Sequence, residues 1–214
     1  MIDKDKDWSS FDVVKKVRNI VKIKKVGHAG TLDPFASGLM ILGVGRGTKA
    51  LSSLTLLQKK YEVTICFGME TDSYDRTGKV INKTATDTLE LETIEKVLDS
   101  FPETFEQIPP MFSAKRVKGK RLYTLARKGL EVERKPAEVN LYYKEIVSWD
   151  NPYLTLILDV SKGFYIRSFA YELGRRAGTG AMADELRRLA IGEYSVENSF
   201  KIDEFVDKWK EISN

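Results

Sequence analysis

Six glycines fall within the stretch Gly27 to Gly47, GHAGTLDPFASGLMILGVGRG, together with one histidine, one proline and a single acid, Asp33. Glycine lets the backbone turn sharply and be approached closely where other residues resist it, so the segment reads as a loop rather than a regular element. Acids elsewhere in the chain mostly sit among lysines, whereas Asp33 lies between Leu32 and Pro34 in small-residue, apolar surroundings. Pro34 turns Asp33 away from the α region toward an extended conformation. A lone carboxylate presented in this way suits one acid working on a substrate that comes close to the main chain. It also suits a tight turn with aspartate as an Asx cap. The local pattern leaves both readings open.

A chain of 214 residues can bury a sizeable core and fits one domain with a possible appendage. No apolar run approaches the roughly 20 residues of a membrane span, and the N-terminus MIDKDKDW has no signal-peptide core. One cysteine, Cys66, excludes an internal disulfide and fits a reducing, cytoplasmic setting. With a single histidine and a single cysteine a zinc site is not expected, and a Ser-His-Asp triad would have to use His28. The net charge is only +4, but basic residues cluster at Lys15-Lys16, Lys22-Lys24-Lys25, Lys115 to Arg121, Arg127-Lys128, Arg175-Arg176 and Arg187-Arg188. Basic charge neutralises phosphates, and aromatics such as Tyr123 and Phe112 beside it stack on bases. The set points to a polyanionic partner of nucleic-acid type.

Ser9-Ser10-Phe11-Asp12 predicts a capping box opening a helix, on which Val13, Val14, Val17, Ile20 and Val21 form one stripe. Leu51, Leu54 and Leu57 predict a second short helix. Tyr61, Val63, Ile65 and Phe67 alternate with period two and predict a strand, with Cys66 on its other face as a structural thiol. Leu91, Ile94, Leu98 and Phe101 stripe a helix ending before Pro102. Val139 to Trp149 and Tyr153 to Val160 read as paired strands. Ser168 is the expected cap of a helix closed by Gly178, and Ile202, Phe205, Val206 and Trp209 stripe a last one. Strands and helices do not alternate as βαβ units, which favours an α+β fold with a mixed, largely antiparallel sheet flanked by helices.

Gly43-Val44-Gly45-Arg46-Gly47-Thr48-Lys49 fails the phosphate-loop spacing, and threonine at position 48 breaks the dinucleotide fingerprint. No carboxylate cluster has metal-ligand spacing. Neither a cofactor nor a metal is expected.

Gly27-His28-Ala29-Gly30-Thr31-Leu32-Asp33-Pro34-Phe35-Ala36-Ser37-Gly38 resembles the catalytic motif of the TruB-type pseudouridine synthases, which isomerise uridine 55 in the T-loop of transfer RNA. Lys59 to Val63 is similar to the strand carrying that family's active-site tyrosine, and Thr71 to Asp75 with Gly78 to the loop after it. Ile108 to Lys115 with Gly119 to Tyr123 resembles the start of an RNA-gripping insertion. Ser161 to Ser168 and Leu186 to Leu189 match two later motifs, all in the family's order.

The resemblance implies the pseudouridine synthase fold over residues 1–214, a basic RNA-gripping insertion at about 109–137 and no separate C-terminal domain. It implies Asp33 as the catalytic aspartate, Tyr61 stacking on the target base, and Arg167 pairing with the Asp33 carboxylate. His28 would help displace the target nucleotide, Tyr165 and Leu189 would line the pocket, and Lys4 would complete the substrate-binding set. The implied partner is the T-arm of transfer RNA, with no membrane, no obligate protein partner, a monomer and no cofactor. A pseudouridine synthase acting on another RNA, and a non-catalytic RNA-binding protein, are the competing readings. At the N-terminus the chain departs from the family: Asp5 and Asp7 stand where relatives carry proline and glycine, with almost no strand before them, so the turn beside Lys4 is not expected to be rigid.

Overall fold

The computed structural model describes residues 1–213 except 114, 118 and 127; Ala114, Lys118 and Arg127 of the expected basic insertion, and Asn214, lie outside the described residues. In chain order the elements begin β1 (Ile2–Lys4), α1 (Ser10–Val21), β2 (Val26–His28), β3 (Ser37–Met40), β4 (Leu42–Val44), a 3₁₀ turn (Gly45–Ala50), α2 (Leu51–Leu56) and β5 (Lys59–Phe67). Next come β6 (Met69–Thr71), β7 (Val80–Lys83), α3 (Leu91–Asp99), β8 (Thr104–Gln107), β9 (Arg116–Val117), β10 (Lys120–Arg121) and α4 (Leu122–Ala126). The chain closes with β11 (Ala137–Asp150), β12 (Tyr153–Val160), α5 (Ile166–Arg176), β13 (Ala181–Ile191), β14 (Tyr194–Ser195) and α6 (Ile202–Ser213). Two compact units result, one from Met1–Glu62 with Leu186–Asn214 and one from Val63–Glu185. β1–β3, β2–β4, β6–β7, β8–β11, β11–β12 and β13–β14 pair antiparallel and β3–β13 pairs parallel, which is the mixed, largely antiparallel α+β arrangement expected.

In the first unit, α1 starts where the capping box predicts. The Ser9 hydroxyl accepts from the Asp12 amide at 3.1 Å while the Ser9 amide donates to the Asp12 carboxylate at 2.9 Å. Val13, Val17 and Val21 pack with Ile2, Met40 and Ile202, and Phe205 and Trp209 of α6 close over them. The glycine-rich stretch is more ordered than a loop. It holds β2, β3 and β4, and Ala29, Leu39 and Ile41 share a second core with Ile191.

β13 is the element that composition conceals. Asp184-Glu185-Leu186-Arg187-Arg188 is rich in helix formers, yet Arg187 and Arg188 pair with Ser37 and Gly38 in a parallel ladder. Propensity is a weak prior, and burial with ladder hydrogen bonds overrides it. Gly38 makes the approach possible: at φ +109° it has no side chain, and a Cβ there would lie 2.3 Å from the Arg188 carbonyl oxygen.

The N-terminal turn forms despite its substitutions. Asp7 adopts φ +67° and its amide donates to the Pro34 carbonyl at 2.8 Å. Aspartate tolerates this left-handed conformation better than most residues but is strained there relative to glycine. Asp7→Gly is therefore expected to raise stability by up to about 1 kcal/mol and Tm by about 2–4 °C. Calorimetry checks this, and a lower Tm would contradict it.

In the second unit, the period-two reading holds. Val63 and Ile65 of β5 are buried, as are Leu154, Leu156 and Leu158 of β12. Phe101, Phe105, Phe164 and Phe169 form an aromatic cluster with ring centroids 4.9–5.8 Å apart. Cys66 is buried too, and burial followed by the nearby Asp184 charge pushes its thiol up, which suits a structural role. α5 begins at Ile166, not after Ser168. Tyr165 precedes it without a side-chain cap, and the Ser168 hydroxyl donates instead to the Ile108 carbonyl at 3.0 Å. Arg167 consequently lies in the first turn of the helix rather than before it.

Candidate active site

The loop carrying Asp33 is held by its backbone. The Ser10 hydroxyl donates to the Leu32 carbonyl at 2.9 Å and accepts from the Leu32 amide at 2.8 Å. Lys4 Nζ donates to the carbonyls of Trp8 at 2.7 Å, Asp5 at 2.9 Å and Pro34 at 3.3 Å. Arg188 Nε donates to the Leu39 carbonyl at 2.7 Å, and its two terminal nitrogens reach the carbonyls of Thr31 and Gly30, each at 3.4 Å. Arg188 thus ties the start of the loop to its end. Leu32, Phe35 and Ala36 are buried on either side of Asp33, which is itself half-buried.

Two buried cations, Lys4 and Arg188, accompany this loop, each 1% exposed. Burial pulls the Lys4 ammonium down to about 8, with the negative charge of Asp33 working in the opposite direction. Burial also lowers the His28 imidazole; the Gly30 backbone opposes this and the Arg188 charge adds to it. His28 Nδ1 is buried with no hydrogen-bond partner among the described residues. Above pH 8 folded Lys4 has lost its proton while an unfolded lysine keeps it to about 10.4. The unfolded state therefore holds more protons than the folded one in that window, so stability rises with pH there as the penalty of the buried ammonium is relieved. A step that uses the Lys4 charge beside Asp33 weakens over the same range. We expect kcat/KM to fall on an alkaline limb near pH 8, and that limb to be absent in Lys4→Met. A wild-type profile flat to about pH 9.5 would contradict the assignment.

Arg167 is organised within the second unit. It is 3% exposed. Its Nη1 donates to the Ser73 carbonyl at 2.8 Å and to Asp75 Oδ2 at 3.1 Å, and its Nη2 donates to the Phe112 carbonyl at 2.7 Å. The other oxygen of Asp75 accepts from the Ser73 hydroxyl at 2.9 Å, the Thr77 amide at 2.9 Å and the Thr77 hydroxyl at 2.6 Å. Gln107 brackets Tyr165, accepting from its amide at 2.7 Å and donating to its carbonyl at 3.1 Å. The backbone of residues 107–112 is in this way laced to the start of α5.

Lys4, His28, Asp33, Tyr61 and Leu189 belong to the first unit, and Tyr165 and Arg167 to the second. Tyr61 is buried on β5 and Leu189 is half-buried on β13. Sequence reading gave no separate role to Arg188, Asp75 or Gln107. The first two lie inside matched motifs, which was the available signal. Among the described residues no group of three or more His, Cys, Asp or Glu is placed to hold a metal ion.

Residues 18–166 match the model of the TruB family pseudouridylate synthase N-terminal domain, a span containing His28, Asp33, Tyr61 and Tyr165 and stopping one residue short of Arg167. The chain is 41% identical to a tRNA pseudouridine synthase B of Clostridium tetani, over 94% of this chain and 70% of that protein. It is 41% identical to one of Ureaplasma urealyticum over 100% and 94% of the two chains. It is 44% identical to one of Chlorobaculum tepidum over 97% and 89%. Among solved structures it is similar to a chain in the crystal structure of a Cbf5-Nop10-Gar1 complex, with a TM-score of 0.75 and 25% identity, spanning all of this chain and 55% of that one. The chain belongs to the TruB family of pseudouridylate synthases.

Proposed function

We propose that this chain isomerises uridine 55 in the T-loop of transfer RNA to pseudouridine, with Asp33 as the catalytic carboxylate. The observation that carries the reading is the seating of the Asp33 loop, gripped through its backbone by Ser10, Lys4 and Arg188. A loop fixed in this way positions one acid without using that acid as the anchor.

The reaction breaks the N1–C1′ bond, turns the uracil and joins C5 to C1′, while C5 gives up a proton and N1 gains one. Atoms and electrons balance without a co-reactant. A uridine inside a folded RNA loop must first leave the stack, at a cost of a few kcal/mol. Stacking on an aromatic ring offsets this by roughly 1–3 kcal/mol, the role given to Tyr61. Arg167 is the counter-charge of the Asp33 carboxylate, His28 helps displace the nucleotide, Tyr165 and Leu189 line the pocket, and Lys4 supports the substrate site. The basic insertion at about 109–137 grips the RNA. The protein works as a cytoplasmic monomer on the T-arm, without an obligate partner; among the described residues no helix is long and apolar enough to cross a membrane.

The test is to incubate the protein with unmodified transfer RNA and map pseudouridine by base-specific chemistry. Product at the T-loop uridine is expected. Product at another uridine would assign a different RNA site, and none on any transfer RNA would favour a binding protein.

A further inference from the structure

The 49 residues from Val13 to Tyr61 contain ten lysines and arginines and one acid, Asp33, while the whole chain carries only +4, so the remainder is net acidic. Part of this charge converges. The amide of Gly45 donates to the Lys25 carbonyl at 2.8 Å, which joins the Lys22–Lys25 segment to the start of the 3₁₀ turn. A Cβ on Gly45 would touch Ile23 Cγ2 at 4.0 Å. Side chains three apart in a 3₁₀ turn eclipse one another, so Arg46 and Lys49 lie on one side of it. Lys22, Lys24, Lys25, Arg46 and Lys49 are all exposed. Among the described residues none of the five is in an ion pair, although Lys96, Lys201, Lys208 and Lys210 each hold a carboxylate. Self-repelling charge kept without partners fits a surface that neutralises another molecule.

We propose that these five residues form an RNA-backbone surface that contacts duplex phosphates flanking the target loop, a proposal that rests on the transfer RNA reading above. β2 leads from this cluster to His28. Three residues of strand span about 10 Å, which separates the surface from the nucleotide being turned and puts it against the adjoining stem. Contacts of this kind set register and affinity and carry no base information. The five side chains act on binding, not on the chemical step.

The test compares wild type with Lys22→Gln/Lys24→Gln/Lys25→Gln and with Arg46→Gln/Lys49→Gln, two variants confined to exposed side chains. Pseudouridine formation and direct RNA binding are measured against salt, on whole transfer RNA and on an isolated T-arm hairpin. KM is expected to rise about tenfold in the triple variant, with kcat unchanged and the salt slope lower by about one for each phosphate no longer neutralised. Both RNAs should show the effect. Unchanged KM and slope would overturn the proposal while the enzyme reading stands. A change on whole transfer RNA alone would overturn the placement beside the target loop, and a fall in kcat would overturn the binding role. Wild-type capture by phosphatidylserine vesicles, with RNA binding unaltered in the variants, would assign the surface to a membrane. If wild type makes no pseudouridine, the binding slopes still decide the surface while the enzyme reading fails.

Discussion

Asp33→Asn is expected to lower kcat for pseudouridine formation by at least about a thousandfold while transfer RNA affinity stays within about twofold. The change is isosteric and removes the negative charge of the carboxylate. Loop geometry should survive, because Ser10, Lys4 and Arg188 hold backbone atoms of the loop. Binding should survive because RNA affinity comes chiefly from phosphate neutralisation and stacking, neither of which uses this carboxylate. A second signature accompanies the loss. The Asp33 charge opposes the burial that pulls Lys4 down, so in the variant Lys4 should surrender its proton at lower pH. Single-turnover conversion and an RNA-binding isotherm read both halves. Activity within tenfold of wild type would remove Asp33 from the chemistry.

The other large effect is on stability. Arg167 and Asp75 form an ion pair at 3.1 Å with side chains 3% and 5% exposed. Removing one partner of a buried pair leaves an uncompensated charge, which costs about 3–5 kcal/mol. Arg167→Met strands the Asp75 carboxylate and leaves the carbonyls of Ser73 and Phe112 without their donor. Asp75→Asn turns an amide donor toward either Arg167 or the Thr77 amide, both of them donors. Each single variant should lower Tm by roughly 10 °C or more. The double variant Arg167→Met/Asp75→Asn should lose less than the sum, because the stranded charge is gone. Asp75→Asn should also reduce kcat by releasing the guanidinium from its fixed place. A Tm within a degree or two of wild type for both single variants would show that the pair is not structural.

What could be foreseen followed the range of the interactions. α1 was legible because its capping box and valine stripe are local, and β5 because its alternation spans only a few residues. Asp33 stood out as an acid in acid-poor surroundings. β13 was not legible: helix-forming residues make a strand there because β3 offers a ladder far away in sequence. Nor were the roles of Arg188, Asp75 and Gln107, whose partners lie 149, 92 and 58 residues distant. The turn beside Lys4 looked compromised by Asp5 and Asp7. It forms because Asp7 accepts a left-handed backbone and Lys4 gathers three carbonyls.

The most direct measurement is a crystal structure of Asp33→Asn bound to a T-arm hairpin carrying the unmodified uridine. The proposed reaction requires that uridine to be out of its stack, with its base against the Tyr61 ring and a reacting carbon about 3–3.5 Å from the residue 33 side chain. A uridine still stacked within the RNA loop, or a side chain at position 33 facing water with no nucleobase beside it, would contradict the reaction.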